Sequence, residues 1–177
     1  MPTIITQTER LILRTWAKED IAPFAAMCSD PEVMRYFPAP LSYDETASLA
    51  KRLQERYEQD GYTYYAVMLK ETEEFIGFCG VLIQTYESPF TPNIDIGWRL
   101  KKAAWGNGYA TEAAKACLKL AKDDLDLKTI ISVASNTNIP SINVMQKIGM
   151  KKVGSFEHPA LNHTPELNPC EVYQIDL

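Results

Sequence analysis

Polar and apolar residues alternate from Glu9 to Trp16, which predicts a strand. Lys18 to Ser29 has a helical pattern that stops at Asp30-Pro31, because the residue before a proline leaves the α region. Ser42 and Glu45 form the signature of a capping box, predicting a helix to about Gln59 with Gly61 as its stop. Tyr62 to Leu69 and Phe75 to Gln84 are β-rich and flank the polar run Lys70 to Glu74, a hairpin by composition. Asn93 to Leu100 is the next strand. In Thr111 to Leu125 the residues Ala113, Ala114, Cys117, Leu118 and Ala121 recur on one helical face. Lys128 to Ala134 is β-branched. Asn138 as cap and Pro140 in the first turn then open a helix over Ser141 to Ile148, closed by Gly149. Met150 to Glu157 and Glu171 to Leu177 supply two last strands around a proline-containing loop. The expected order is βααβββαβαββ.

Composition narrows the classes. The 177 residues suit one domain, 1–177, and no repeat, linker or low-complexity run divides them. Hydrophobic content of 46% and charged content of 23% are ordinary for a soluble protein. A net charge of −5 speaks against a direct nucleic-acid partner, which requires a basic patch. Arg10 and Arg14 interrupt any apolar start, and no run approaches the roughly 20 residues that span a bilayer, so no membrane association and a cytoplasmic location are expected. Cys28, Cys79, Cys117 and Cys170 have no short spacing, and His158 and His163 have one cysteine near them, so neither a disulfide framework nor a metal site is expected.

The chemistry begins at Trp105-Gly106-Asn107-Gly108-Tyr109-Ala110, a glycine-rich turn feeding a helix. Such a turn aims unpaired backbone N–H groups and the positive end of a helix dipole at one point, which favours a phosphate. Gly108 is followed by Tyr109 rather than Lys-Ser/Thr, so this is not a P-loop. Thr111 stands where a dinucleotide fingerprint needs its third small residue, and no early βαβ unit surrounds it. A plain tight turn is the alternative for the two glycines taken alone.

Taken with Asn138-x-x-Ser141-x-x-x-x-x-Lys147-x-Gly149-Met150, the loop makes the chain resemble the GCN5-related N-acetyltransferases, GNAT for short. Thr8 to Arg14 and Asp30 to Phe37 resemble the branch that acetylates bacterial ribosomal proteins at alanine or serine N-termini. The likeness runs through essentially the whole chain. It implies an α/β (α+β) acyl-CoA N-acyltransferase fold, with a mixed central sheet flanked by helices, and an acetyl-CoA-dependent N-acetyltransferase needing no metal. In that fold the strands Asn93–Leu100 and Thr129–Ala134 splay apart. Acetyl-CoA is then bound through the backbone of Trp98, Arg99 and Leu100, by the loop Trp105, Gly106, Asn107, Gly108, Tyr109 and Ala110, and by Asn138, Ser141 and Lys147. A bulge in the first of these strands would free an amide to polarise the thioester carbonyl. Core packing is the alternative for the Trp98 and Leu100 side chains, and helix capping for Asn138.

The reaction is attack of an amine on a thioester, and it must dispose of a proton. An α-amino group with pKa near 8 is roughly one-tenth free base at pH 7, while a lysine is only about one part in 2,500. Asp95 is the candidate base, at the place where this branch commonly carries glutamate; a solvated strand carboxylate is the alternative. Many relatives have a tyrosine four residues after Ser141, but Met145 cannot donate a proton, so Ser141 is the remaining candidate acid unless it is simply a helix-start hydroxyl. The family builds its acceptor pocket from the region of Glu32, Tyr36 and Phe37. His158 lies in a loop stiffened by Pro159, Pro165 and Pro169 that reads as the facing substrate wall, with an ordinary surface loop as the alternative. The expected acceptor is a protein N-terminal α-amino group. The alternatives are a small amine (polyamine, amino acid or antibiotic), or a non-catalytic acyl-CoA-binding regulatory module. A monomer or a homodimer is expected.

Overall fold

A computed structural model describes residues 1–177. Eight strands form one sheet in the order β1-β2-β3-β4-β5-β6-β8-β7. They are β1 (Ile4–Gln7), β2 (Leu11–Arg14), β3 (Tyr64–Leu69), β4 (Phe75–Gln84), β5 (Asn93–Leu100), β6 (Thr129–Ser135), β7 (Lys151–Phe156) and β8 (Cys170–Asp176). Helices α1 (Ile21–Ser29) and α2 (Tyr43–Asp60) follow β2, α3 (Tyr109–Asp123) follows β5, and α4 (Ile139–Lys147) follows β6. Every neighbouring pair is antiparallel except β5 and β6.

The sheet is covered on both faces. On one, α3 lays Ala113, Ala114, Cys117, Leu118 and Ala121 against Leu11, Leu13, Val67, Ile76, Ile96 and Leu100, all buried. The three alanines let the helix lie close to the sheet, with little side-chain entropy lost. On the other face, Phe24, Met27 and Cys28 of α1 and Ala50 and Leu53 of α2 pack on Ala66, Met68, Phe75 and Phe78. A smaller cluster, with Phe156, Leu161, Leu167 and Cys170, lies under the loop between β7 and β8.

Local signals act where the sequence puts them. The Ser42 hydroxyl accepts from Glu45 N–H, and the Glu45 carboxylate accepts from Ser42 N–H at 2.8 Å; a cap of this kind is worth about 1 kcal/mol. Gly61 and Gly149 take left-handed conformations, at φ 81° and 91°. The expected helix from Lys18 begins instead as a 3-10 turn, Lys18–Asp20. There the buried Asp20 carboxylate accepts from Ala17 N–H and clamps Arg14 through two 2.7 Å bonds.

Two expectations are corrected. The sheet has one more strand than the expected order, because β1 precedes the Glu9–Trp16 segment. As an edge strand it buries neither face, so it carries no polar–apolar alternation to read. The bulge expected in Asn93–Leu100 is absent. The β4–β5 register runs unbroken from Gly77↔Leu100 to Gln84↔Asn93. What frees backbone groups is the other edge, where β5 meets β6 at the single register pair Asp95↔Ile131 before the strands part.

Candidate active site

The cleft starts where β5 and β6 separate. The Ser132 hydroxyl donates to Ile96 O at 2.9 Å, so Ile96 turns its backbone groups toward β6. Strand alternation then aims those of Trp98 and Leu100 the same way, into the gap. Side chains alternate across the faces. Ile96 and Leu100 enter the core under α3, whereas Asp95, Gly97 and Arg99 lie on the α1–α2 face.

At the far end of β5, Trp105 Nε1 donates to Leu100 O at 2.9 Å and ties the loop to the strand. Gly106 and Gly108 adopt φ 77° and 79°, conformations that residues with a Cβ rarely take. A Cβ on Gly106 would meet nothing within 4 Å, so the space above the turn is open. The first backbone bond of α3 runs from Glu112 N–H to Gly108 O, leaving the N–H groups of Tyr109, Ala110 and Thr111 outside the helical ladder. They face a cavity of about 370 Å³ that Trp98, Leu100, Asn138, Ser141 and Lys147 also line. Open space over glycines and orphan N–H donors fit the pyrophosphate and pantetheine arm of coenzyme A.

Asn107 does not line that cavity. Its amide turns back to Ala104 O and Trp105 O, at 3.3 and 3.0 Å. Behind the loop stands a network that sequence reasoning left without a role. Glu112 accepts from Arg10 N–H and Nε at 3.0 and 2.7 Å and from the Thr8 hydroxyl, while Arg10 Nη1 donates to Asn107 O at 3.0 Å. Burial alone would raise the Glu112 pKa, but these donors outweigh it and hold the carboxyl below its ordinary value. Thr8-Glu9-Arg10 was legible as part of a family likeness; its partner 102 residues away was not.

A second cavity, of about 330 Å³, meets the first at Tyr36, Phe37, Trp98, Arg99, Asn138 and Ser141. Asp95 lines it and is 9% exposed. Tyr64 Oη donates to Asp95 Oδ1 at 2.6 Å and accepts from Gln84 Nε2 at 3.0 Å. Burial raises the Asp95 pKa from 3.8 to about 6, with the Tyr64 and Gln84 hydrogen bonds pulling the other way. Gly97 is what admits Tyr64: a Cβ there would come 2.9 Å from the phenol. A carboxyl poised near 6 at the wall of a cleft can hold or release a proton at neutral pH.

His158 lines the second cavity beside Tyr86, with ring centroids 4.4 Å apart, and burial holds its imidazole below the ordinary value. Its Nδ1 accepts from Ala160 N–H at 3.1 Å, so in the neutral ring Nε2 carries the proton. Glu32 is elsewhere, exposed at the first cavity and paired with Lys102 at 3.8 Å. Asn138 caps α4 through a 3.2 Å bond from Ser141 N–H, which leaves its NH2 free for the cleft. Met145 is buried at the back of the second cavity, and Ser141 carries the one hydroxyl of α4. No three His, Cys, Asp or Glu side chains gather as a metal site, and no helix is long and apolar enough to cross a membrane.

Fold and cleft together define an α/β transferase-like arrangement, with an anion cradle and a carboxyl-bearing pocket meeting at a splayed strand pair. The acetyltransferase (GNAT) domain model matches residues 10–151, and the chain belongs to that family of N-acetyltransferases. It is 31% identical over 150 residues to the uncharacterized N-acetyltransferase YnaD of Bacillus subtilis, covering 85% of this chain and 84% of that one. The crystal structure of a GNAT-family acetyltransferase from Bacillus anthracis superposes with a TM-score of 0.80 at 28% identity, over 99% of this chain and 98% of that one. The fold is also similar to that of RimL, a ribosomal L7/L12 alpha-N-protein acetyltransferase in complex with coenzyme A (TM-score 0.80, 15% identity, 99% and 98% covered).

Proposed function

We propose that residues 1–177 act as one acetyl-CoA-dependent N-acetyltransferase whose acceptor is the α-amino group of a peptide N-terminus. The observation that carries this is Asp95, a buried carboxyl with a pKa of about 6 on the wall of the second cavity, which joins the first at Trp98 and Ser141. Taking a proton from an α-ammonium of pKa near 8 is uphill by roughly two pKa units for such a base, against more than four for a lysine. Bound acetyl-CoA supplies the acyl group as an activated thioester. The backbone of Trp98 and Leu100 and the orphan N–H groups of α3 orient it. Asp95 takes the amine's proton, Tyr64 and Gln84 hold that carboxyl in place, and the Ser141 hydroxyl lies at the junction as the available proton donor. His158, Tyr36 and Phe37 wall the acceptor side.

A small amine is the second reading, favoured by the volume of the acceptor cavity, about 330 Å³, at the lower end for a small-molecule pocket. The test is release of free thiol from acetyl-CoA with a panel of acceptors. Peptides with free N-termini are expected to react at least tenfold faster than polyamines and Nα-blocked lysine peptides. Turnover with polyamines alone would select the second reading. Tight coenzyme A binding with no turnover on any amine would leave a regulatory acyl-CoA-binding module.

A further inference from the structure

Arg99 is a cation without a counterion. The protein's nine ion pairs engage other side chains, so no carboxylate lies within 4.0 Å of this guanidinium. Its Nε–H is fully buried and has no hydrogen-bond partner. Its Nη1 donates only to the Cys28 sulfur, at 3.5 Å. The group is held by aromatic faces instead, with Cζ 4.0 Å from the Phe37 ring centroid and 5.3 Å from that of Phe78. Cation–π stacking fixes its orientation and offsets part of its desolvation, but gives its remaining donors no acceptor.

The phosphates of coenzyme A are poorly placed to use them. The phosphate cradle is at the N-terminus of α3, and α3 packs on the opposite face of β5 from Phe78. Arg99 leaves β5 on the Phe78 side and lines the junction of the two cavities. It shares that side with Asp95, four residues back, with no side chain at Gly97 between them and the Tyr64 ring lying there instead. Four strand residues span about 13 Å. The acceptor side of the cleft therefore has an acid at one end and a guanidinium without a counterion at the other, one of its Nη atoms turned to Cys28.

A guanidinium fork matches a carboxylate through two parallel N–H···O bonds. We infer that Arg99 selects acceptors that carry a carboxylate within about three residues of the reacting α-amine. This rests on the proposed function insofar as the second cavity receives the amine. Two sources supply the same chemistry, the C-terminus of a very short peptide or an acidic side chain near the N-terminus of a longer one. An extended residue adds about 3.5 Å, so either reaches from Asp95 to Arg99.

The test uses the full chain with four acceptors: trialanine, trialanine amide, Ala-Asp-Ala amide and Ala-Lys-Ala amide. Binding of each to the coenzyme A-loaded protein is measured by calorimetry, and kcat/KM with acetyl-CoA alongside. One or both carboxylate peptides are expected to exceed trialanine amide at least tenfold in both readouts, and which of them does so names the source. Arg99→Met should collapse that ratio toward one. Arg99→Lys, a point charge without the fork, should keep part of it. Equal affinities in the wild type, no binding of any peptide, or a ratio that survives in Arg99→Met would overturn the inference. So would a variant that loses coenzyme A affinity while keeping the ratio. If the binding ratio holds but no peptide is acetylated, the proposed function fails and the carboxylate site stands.

Discussion

The two ends of the cleft are built from different materials. The end proposed for the cofactor is mostly backbone: two glycines at positive φ, orphan N–H groups at the start of α3, and the free edge of β5. The end proposed for the acceptor is mostly side chains, with Tyr64, Gln84, Asp95 and His158 brought from β3, β4, β5 and the loop after β7. Backbone donors bind an invariant group and tolerate few changes. Side chains borrowed from many elements can be exchanged one at a time without disturbing the sheet. One protein can thus keep a shared co-substrate and vary its acceptor.

Asp95→Asn gives the largest contrast between the ends. The amide still accepts from Tyr64 but cannot take a proton, so kcat should fall about 10²-fold. Coenzyme A affinity, measured by calorimetry, should stay within about twofold because the carboxyl is outside the cofactor cavity. A fully active variant would move the base to water or a loop residue. Gly108→Val tests the opposite end. A β-branched residue at φ 79° is strained. Its side chain would also press on Arg10 Nη2, which lies 3.6 Å from where a Cβ would stand, and so disturb the support behind the loop. Coenzyme A should bind at least tenfold more weakly, with the far-ultraviolet circular dichroism preserved.

Glu112→Gln is a milder perturbation of the same end. It removes the charge from bonds worth about 1.5–3 kcal/mol to Arg10, behind the loop rather than in it. A two- to fivefold loss of coenzyme A affinity is expected, with Tm lower by about 3–6 °C. Unchanged values in both would mean that the loop holds its shape without this support.

A last effect is on stability. Because the folded protein raises the Asp95 pKa to about 6, ionising it costs stability as pH rises from about 4 to 6, and the cost persists above 6. Asp95→Asn removes that cost. It should therefore raise stability at pH 7.5 by on the order of 2–3 kcal/mol relative to the difference at pH 4, in urea unfolding at the two pH values. Equal differences would place the carboxyl in a more solvated setting.

The same contrast governs what the sequence discloses. Gly106, Gly108, Gly149, the Ser42–Glu45 box and the Asn138 cap act on neighbours within a few residues, so their spacing is enough to read them. Asp95 could be singled out because it lies on the strand that borders the cleft. Its environment could not, since Tyr64 and Gln84 are 31 and 11 positions away on other strands and have no motif of their own. Met145 was legible as a missing hydroxyl. The isolation of Arg99 was not, because having no counterion is a property of every residue around a group, and only packing defines that set.

The central claim is that Asp95 is the base, and the pH dependence of kcat/KM with an α-amine acceptor tests it most directly. Ionisation of the free amine alone gives a logarithmic slope of about one below pH 8. In the wild type that slope should steepen to about two below the Asp95 pKa of about 6, as its carboxylate is lost. Asp95→Asn should keep a slope of about one throughout. A wild-type profile with no break near 6, or the same break in Asp95→Asn, would contradict the account.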